Sequence, residues 1–341
     1  MVSFENDYVA GAHPQVLQRL LETNLEPMTG YGTDPYTESA REKLRRACAD
    51  PAAEVEFLTG GTQVNAIVLS TLLRDWEGVL SPATGHIAAH EAGAIEYSGH
   101  KVLTLPQEQG KVSPDTLRRW LEEFEGDENR EHMVCPGALY ISYPTEYGTL
   151  YSMEELWSLS RLCREHGLRL YLDGARLGYG LMSWESDVTL PDLAKICDAF
   201  TVGGTKVGAL CGEAIVFPGG GRPAHFMNSV KKRGGLLAKG RLLGVQFDTL
   251  FTDALYFRLS AEAIEKTQAM IDIFRRKGIP FFLDSPTNQQ FLLLENGYME
   301  KLKEKVRFCF WEKVDETHSA VRFACSWSTT EEDLAVLEAA L

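Results

Sequence analysis

Residues 55–73, "VEFLTGGTQVNAIVLSTLL", read as a strand that runs directly through a glycine turn into a helix. The first four residues are the strand, and residues 66–73 are a continuous apolar segment long enough to be a buried helix. Gly60 and Gly61 supply the turn between them. A strand followed at once by an apolar helix is a unit from which parallel sheets are built. The stretch therefore predicts a layered α/β domain.

The same alternation of strand and helix patterns continues from about residue 38 onward. Further strands are predicted at residues 101–105, 138–142, 168–172, 199–202 and 213–217. The intervening helices carry start signals: Ser113 is a cap with Pro114 in the first turn, and Ser152 with Glu155 forms a capping box. The predicted fold class is α/β, with a mostly parallel central sheet.

The carboxyl-terminal third is predicted to be a smaller α/β domain. One long helix, Phe247 to Lys277, separates it from the rest, and strands follow near residues 280–283, 290–294 and 321–325. We expect a large domain with its amino-terminal segment at residues 1–245 and a small domain at residues 246–341.

Composition narrows the classes of function. The chain has 341 residues, 44% of them hydrophobic, which is enough for an ample core. Its 34 basic and 48 acidic residues give a net charge of −14, which repels nucleic acids and anionic membranes. The amino terminus is acidic, no apolar stretch could span a bilayer, and the seven cysteines form no CxxC pair. We expect a soluble, cytoplasmic protein.

Lys206 stands in "AFTVGGTKVGALCG", residues 199–212, among small residues and with no other charge before Glu213. That setting predicts a partly buried amine. Desolvation disfavours the charged form of a lysine, and the neutral amine is the form that makes Schiff bases with aldehydes. The alternative is a loop lysine beside a glycine-rich turn.

Gly61 and Thr62 lie at the start of the first predicted helix, where free amides and a hydroxyl could hold a phosphate. The segment is not a nucleotide-binding P-loop, because no GK[ST] follows. "GYGTDP", residues 30–35, also fails the dinucleotide pattern, since Pro35 replaces a glycine. The alternative is a glycine turn without a ligand.

Asp173 and Arg176 follow the apolar strand in "LYLDGARLGYG", residues 170–180. A carboxylate at the carboxyl end of a parallel strand lies where open α/β sheets bind ligands. The alternative is a surface ion pair between Asp173 and Arg176.

His86 and His90 are four residues apart in "GHIAAHEAGA", residues 85–94, with Glu91 beside the second. On a helix both imidazoles would share one face, which makes a zinc site one alternative. The order is not the HExxH of zinc proteases, and no third ligand is evident. The other alternative is that His86 alone faces a ligand.

Taken together, these features suit pyridoxal phosphate. That cofactor needs a phosphate site, an acid beside its pyridine nitrogen, a group against its ring and a lysine for the Schiff base. "GGTQVN", "HIAAHEAGA", "YLDGARLGY" and "GGTKVGALCG", in this order, resemble the threonine aldolase and β-eliminating lyase family of fold-type-I pyridoxal phosphate enzymes. The likeness covers nearly the whole chain, including "FENDYVAGAHP" and "GYGTDPYT" near its start.

The resemblance implies roles for the residues above. Lys206 would carry the cofactor, Asp173 would pair with the ring nitrogen, and Arg176 would lie near the phenolic oxygen. His86 would stack on the ring and assist proton transfer. The phosphate would be held by Gly61, Thr62 and Thr205.

The resemblance also implies substrate contacts and assembly. In "AVRFACSWST", Arg322 would bind the substrate α-carboxylate, with Asn6 as a helper. Family members are dimers or tetramers with shared active sites, so Tyr31 and Lys231 would enter the neighbouring subunit's site.

Two features depart from the family pattern. In "YPTEYGTLY", residues 143–151, Glu146 stands where the aldolases have a histidine near the substrate β-hydroxyl. A buried glutamate could act there as a base, or it could recognise a cationic side chain. "RGGLLAKGR" moves a family arginine to Lys239 or Arg241, which would alter contacts at the subunit boundary.

The expected activity is aldol cleavage of a β-hydroxy-α-amino acid, such as threonine or allo-threonine, to glycine and an aldehyde. Three alternatives stay open: β-elimination, racemisation or transamination with the same cofactor; a metal hydrolase built on His86, His90 and Glu91; and an inactive binding scaffold.

Overall fold

A computed structural model describes residues 1–341. The helices are α1 (Pro14–Glu22), α2 (Pro35–Ala47), α3 (Gly61–Leu72), α4 (His86–Ala89), α5 (Ala94–Tyr97), α6 (Pro114–Gly126), α7 (Met153–Glu165), α8 (Leu177–Leu181), α9 (Leu190–Ile196), α10 (Phe226–Lys232), α11 (Arg241–Leu250), α12 (Leu255–Arg276), α13 (Asn296–Lys303) and α14 (Glu331–Ala340). The strands are β1 (Val2–Ser3), β2 (Glu54–Leu58), β3 (Glu77–Pro82), β4 (Val102–Leu105), β5 (Cys135–Ser142), β6 (Arg169–Asp173), β7 (Ala199–Gly203), β8 (Glu213–Phe217), β9 (Phe281–Leu283), β10 (Gln289–Glu295), β11 (Val306–Arg307), β12 (Cys309–Lys313) and β13 (His318–Ala324).

Seven strands form the central sheet, in the order β2-β8-β7-β6-β5-β3-β4. The pairs from β7 to β4 are parallel, whereas β8 is antiparallel to both β2 and β7. The predicted mostly parallel α/β sheet is confirmed. Strand β3 was not predicted, because its sequence EGVLSP contains glycine and ends in proline; it is a strand because β4 and β5 pair with it on both sides.

Alternate residues of the central strands enter two separate cores. Leu139 and Ile141 of β5 pack into one cluster, and Ala138 and Tyr140 pack into the other. Since side chains of a strand alternate between the two faces of a sheet, the sheet is buried on both sides. The strands therefore read as continuous apolar runs.

The small domain is built on an antiparallel sheet in the order β12-β13-β10-β9. Strand β12 was not predicted, because Glu312 and Lys313 interrupt its apolar pattern. The chain's amino terminus joins this domain: β1 pairs with β11, and Phe4 is buried in the small-domain core.

The predicted single helix from Phe247 to Lys277 is wrong. The chain forms α11 and α12, which are separated at residues 251–254, where Asp253 and Ala254 have φ values of 49° and 54°. These left-handed conformations end one helix and set a new direction for the next. The periodicity of both helices is the same, so the break leaves no mark in the hydrophobic pattern.

The division at residues 245 and 246 stays a prediction. Because α11 and the first half of α12, with Leu255 and Leu259, pack in the large domain, whereas Met270 and Phe274 of α12 pack in the small-domain core, we propose a boundary within α12, with residues 2–4 counted with the small domain. In the whole chain, no helix has the length and apolar character needed to cross a membrane.

Candidate active site

A cavity of about 300 Å³ opens where β5, β6 and β7 end and α3 begins. The carboxyl ends of parallel strands are the usual place for a ligand in an α/β sheet. Eight predicted site residues line this cavity: Gly61, Thr62, His86, Glu146, Asp173, Arg176, Thr205 and Lys206. The chain thus brings together groups that are up to 145 residues apart in the sequence.

Lys206 lies in the tight loop between β7 and β8. The amides of Gly204 and Thr205 both donate to the carbonyl of Gly212, and Tyr179 Oη donates to the carbonyl of Lys206 at 2.6 Å. Desolvation lowers the pKa of Lys206, and the nearby Arg176 guanidinium lowers it further. The loop therefore presents an amine that loses its proton more readily than a surface lysine.

Asp173 ends strand β6 with its carboxylate held on both oxygens. Oδ2 accepts from Tyr140 Oη at 2.8 Å and from Asn65 Nδ2 at 2.9 Å, while Oδ1 accepts from the Ala175 amide at 2.9 Å. A side chain at Gly174 would lie 2.0 Å from the Thr201 carbonyl, so only glycine fits there. These contacts fix the direction of a buried negative charge.

Asn65 connects Asp173 to the histidine side of the cavity. Its Nδ2 also donates to Glu91 Oε1 at 2.7 Å, and its Oδ1 accepts from Tyr171 Oη at 2.7 Å. Asn65 is the last residue of "GGTQVN", and no role was predicted for it from the sequence. An asparagine in an apolar helix is a signal of a buried polar partner, but the pattern does not say which one.

His86 Nδ1 lies 2.8 Å from Glu91 Oε1. This hydrogen bond raises the pKa of His86, and the Glu91 carboxylate is fully buried. His86 begins a single helical turn that ends at Ala89, and His90 follows directly, with its ring centre 5.7 Å from that of His86. No group of three or more His, Cys, Asp or Glu side chains in the chain is arranged to hold a metal ion.

The amino terminus of α3 offers an anion site. A side chain added at Gly60 or Gly61 would meet nothing within 4 Å, so the backbone faces open space there. Thr205 lies across the same cavity, where its Oγ1 accepts from the Gly212 amide at 3.1 Å. The unpaired amides and the positive end of a twelve-residue helix favour a phosphate.

Arg176 forms an ion pair with Asp7 of the amino-terminal segment, at 2.6 Å and 2.9 Å. Burial opposes ionisation of Asp7, but Arg176 and Lys206 outweigh it and lower the pKa to about 2. Sequence analysis named the neighbouring Asn6 instead. Asn6 does not line the cavity, because its Oδ1 accepts from the Tyr8 amide in a local turn. Asp7 carried no local signal, since its partner lies 169 residues away.

A second cavity of about 510 Å³ adjoins the first and shares Tyr8, His86, Glu146, Arg176 and Lys206 with it. Residues of β12 form its outer wall: Cys309, Phe310, Trp311 and Glu312.

Glu146 faces both cavities. Its Oε1 accepts from Ser142 Oγ at 2.7 Å and from the His86 amide at 2.9 Å, whereas its Oε2 is buried without a partner. Burial raises the pKa of this carboxyl, and Asp173 adds to the effect.

Arg322 lines the second cavity from the small domain. It donates to Gln289 Oε1 at 3.1 Å and to the Glu5 carbonyl at 3.0 Å, and its Nε is buried without a partner. Tyr31 is elsewhere: it is half exposed, borders a separate groove, and stacks with Lys231 Nζ at 5.0 Å from the ring centre. Within one chain, the structure does not bring Tyr31 to the predicted site.

Comparison with known proteins identifies the family. The family model described as "Beta-eliminating lyase" matches residues 4–280. The chain belongs to the β-eliminating lyase family. It is 28% identical over 340 residues to a low specificity L-threonine aldolase of a Pseudomonas species, covering 96% of this chain and 93% of the relative.

Solved structures agree with this placement. A Leishmania major threonine aldolase is 38% identical and superposes with a TM-score of 0.95, covering 100% of this chain and 98% of that one. An aspartate aminotransferase of Thermus thermophilus, only 16% identical, superposes with a TM-score of 0.72 over 100% of this chain and 90% of its own, which shows the fold alone. The fold-type-I architecture is confirmed, and the chain is a pyridoxal-phosphate-dependent lyase.

The donor set of this lyase fits that cofactor. An amine of lowered pKa, a fixed buried carboxylate and an open helix amino terminus line a single cavity. Each is a group that pyridoxal phosphate requires. Three residues outside the predicted cofactor site, Asp7, Asn65 and Glu91, hold the predicted residues in place.

Proposed function

We propose that this chain cleaves β-hydroxy-α-amino acids, such as threonine or allo-threonine, to glycine and an aldehyde. The observation that carries the proposal is Glu146, a buried carboxyl of raised pKa with a free oxygen beside His86 and Lys206. Such a group can take the proton of a substrate hydroxyl. The likeness to threonine aldolases along nearly the whole chain supports this reaction.

The proposed cofactor contacts follow the lining of the first cavity. Lys206 would attach the cofactor, Asp173 would pair with its ring nitrogen, His86 would cover its ring, Arg176 would lie near its ring oxygen, and Gly61, Thr62 and Thr205 would hold its phosphate. When bound, pyridoxal phosphate supplies a ring that withdraws electrons from the substrate bond that breaks.

The protein's own groups are prepared for these tasks. Three hydrogen bonds keep the Asp173 carboxylate in one orientation, so it needs no rearrangement as charge develops nearby. Glu91 holds His86 through Nδ1 and leaves Nε2 for the cavity. Glu146, ionised, would accept the β-hydroxyl proton and later return it.

We assign the substrate α-carboxylate to Arg322. Its Nε is a buried donor without a partner, and the guanidinium is already held by Gln289 and Glu5 and lies over Trp311, 5.4 Å from the ring centre. A fixed guanidinium can bind a carboxylate through two parallel hydrogen bonds, and this pairing would orient the amino acid in the cavity. Roles for Asn6 and Tyr31 remain predictions.

We also propose a cytoplasmic homodimer or homotetramer with shared active sites. Leu17, Leu21 and Leu25 are exposed apolar side chains near the amino terminus, and a patch of this kind favours contact with another subunit. Such assembly would let Tyr31 and Lys231 reach a neighbouring site. Sedimentation of the purified protein measures the subunit number.

Product analysis tests the reaction. The purified protein with pyridoxal phosphate is given threonine, allo-threonine and amino acids without a β-hydroxyl. The proposal expects equal amounts of glycine and aldehyde from the hydroxy amino acids only. Ammonia, a keto acid or inverted substrate as the main product would replace aldol cleavage with β-elimination, transamination or racemisation.

A further inference from the structure

Glu213 is a buried carboxyl that the proposed function does not use. It is the first residue of β8, where it pairs with Gly203 of β7 and Leu58 of β2. Its side chain lines the same cavity as Lys206. The residue is 6% exposed, and its Oε2 has no hydrogen-bond partner.

The other carboxylates around Lys206 are already committed. Asp7 is paired with Arg176 through two contacts, and Asp173 is held by three hydrogen bonds. Glu146 lies on the substrate side against His86 and Ser142. Hydrogen bonds from Thr205 and the Gly204 amide favour the charged form of Glu213, but the residue forms no ion pair and its Oε2 has no partner, so no cation fixes its charge.

Burial and charge couple the two groups. Burial raises the pKa of Glu213 to about 8, while the Lys206 ammonium opposes this rise. In return, a Glu213 carboxylate favours the charged form of Lys206, whose pKa burial lowers. The other titratable or charged groups facing the pair are Asp7, Tyr8, His86, Glu146, Tyr171, Asp173, Arg176, Cys211 and Tyr256. Two groups coupled in this way gain and lose protons as a pair.

We propose that Glu213 is a positioning residue that sets the proton affinity of the Lys206 amine. When ionised, Glu213 holds Lys206 as an ammonium; when protonated, it leaves Lys206 as a free amine. The inference rests on the proposed attachment of the cofactor at Lys206. The protonation of the Lys206 amine would then be set by Glu213 without any change in the conformation of the chain.

The first test measures covalent capture of pyridoxal phosphate by the cofactor-free protein across a range of pH, with borohydride reduction to fix the product and mass analysis of the Lys206 peptide. In Glu213→Gln, the midpoint of capture should fall by about one pH unit, so capture below the midpoint is roughly tenfold faster. Glu56→Gln is the matched control, a buried carboxyl on β2 beside β8 that lines neither cavity, and it should keep the wild-type midpoint.

Equal midpoints in Glu213→Gln and wild type would overturn the inference, as would an equal shift in Glu56→Gln. Failure of the proposed cofactor attachment looks different. In that case wild type would capture no cofactor at Lys206 at any pH.

The second test uses the unfolding of the cofactor-free protein against pH. Because the folded-state pKa of Glu213 is above its unfolded value, its contribution is complete below the unfolded pKa and is lost as pH rises toward about 8. Glu213→Gln should therefore lose less stability than wild type over that interval. Lys206→Met, which removes the opposing charge, should extend the loss to higher pH, and it gives an answer even if Glu213→Gln folds poorly. Unchanged pH dependence in both variants would contradict the coupling.

Discussion

At the residue scale, the unpaired polar atoms of this lyase gather around its active site. The buried side-chain atoms without a partner belong to Thr84, Glu91, Glu146, Glu213, Asn288, Gln289 and Arg322. Four of these residues line the two cavities, and each of the others bonds to His86, Asp7 or Arg322. Buried polar groups are normally paired, so this clustering marks the place where a ligand would complete the pairing.

Lys206→Ala should remove activity by roughly 10³-fold or more, because no other amine lines the first cavity. The visible absorption of bound pyridoxal phosphate should be lost or altered together with glycine release. Lys232→Ala, at an exposed position of α10, should retain both. Full activity in Lys206→Ala would show that Lys206 is a loop lysine.

Glu146→Gln should lower kcat by about 10²- to 10⁴-fold, the range of a lost acid or base. Since burial raises the pKa of Glu146, the base is present only at pH above the ordinary glutamate range near about 4.3. Wild-type activity should therefore fall as pH drops through that raised pKa, and the variant should lack this limb. The exposed control Glu122→Gln should follow the wild-type profile. If Glu146→Gln still loses activity at low pH, another group is responsible for that loss.

At the element scale, short connections rather than long helices shape the site. The loop between β7 and β8 spans residues 204–212, and it places Lys206 and Glu213 in the same cavity. Gly203 lets the end of β7 lie directly against the backbone of Ala175, because a side chain at position 203 would lie 2.2 Å from the Ala175 carbonyl. Helix α12 connects the two domains: its first half packs in the large-domain core, and its second half packs in the small-domain core through Met270, Ile273 and Phe274.

Ala254→Gly should stabilise the protein by about 0.5 to 1 kcal/mol, since glycine adopts a φ of 54° with less strain than alanine. Urea unfolding measures the change. Ala261→Gly inside α12 is the matched control and should destabilise by about 1 kcal/mol, because helical φ values favour alanine. An equal loss in both variants would contradict the strained break.

At the scale of the whole molecule, the amino-terminal segment joins the two domains. Phe4 packs in the small-domain core, the Glu5 carbonyl accepts from Arg322, and Asp7 accepts from both Arg176 of the large domain and Asn288 of the small one. Residues from three distant parts of the chain thus meet at the cavity. Domain packing and the proposed binding of substrate by Arg322 depend on the same few residues.

Phe4→Ala should cost about 3 to 5 kcal/mol in the free energy of unfolding, because the side chain is 1% exposed and leaves a cavity beside Phe323. It should also raise KM more than it lowers kcat, since Glu5 helps to hold Arg322. Val336→Ala, at an exposed apolar position, should stay within about 0.5 kcal/mol. Equal stability losses in the two variants would show that the amino terminus does not hold the domains together.

Local sequence by itself determined the α/β class, the places of most strands and the capping of α6 and α7, and it marked Gly61, Thr62, His86, Asp173, Arg176 and Lys206 as candidates, whereas Glu146 and Thr205 came from the family resemblance. These features follow from signals within a few residues: apolar runs, glycine turns and side chains that bond to neighbouring amides. A carboxylate or lysine that follows a buried strand can also be recognised from the sequence, as a charged residue after an apolar run.

Only the tertiary structure decided what holds those residues. The contacts of Asp173 with Asn65, of Arg176 with Asp7 and of Arg322 with Glu5 join positions 108, 169 and 317 residues apart. The break in the predicted long helix and the unpaired oxygen of Glu213 likewise depend on packing. Burial and its effect on a charge arise from surroundings that distant segments create, and no local pattern records which segments those are.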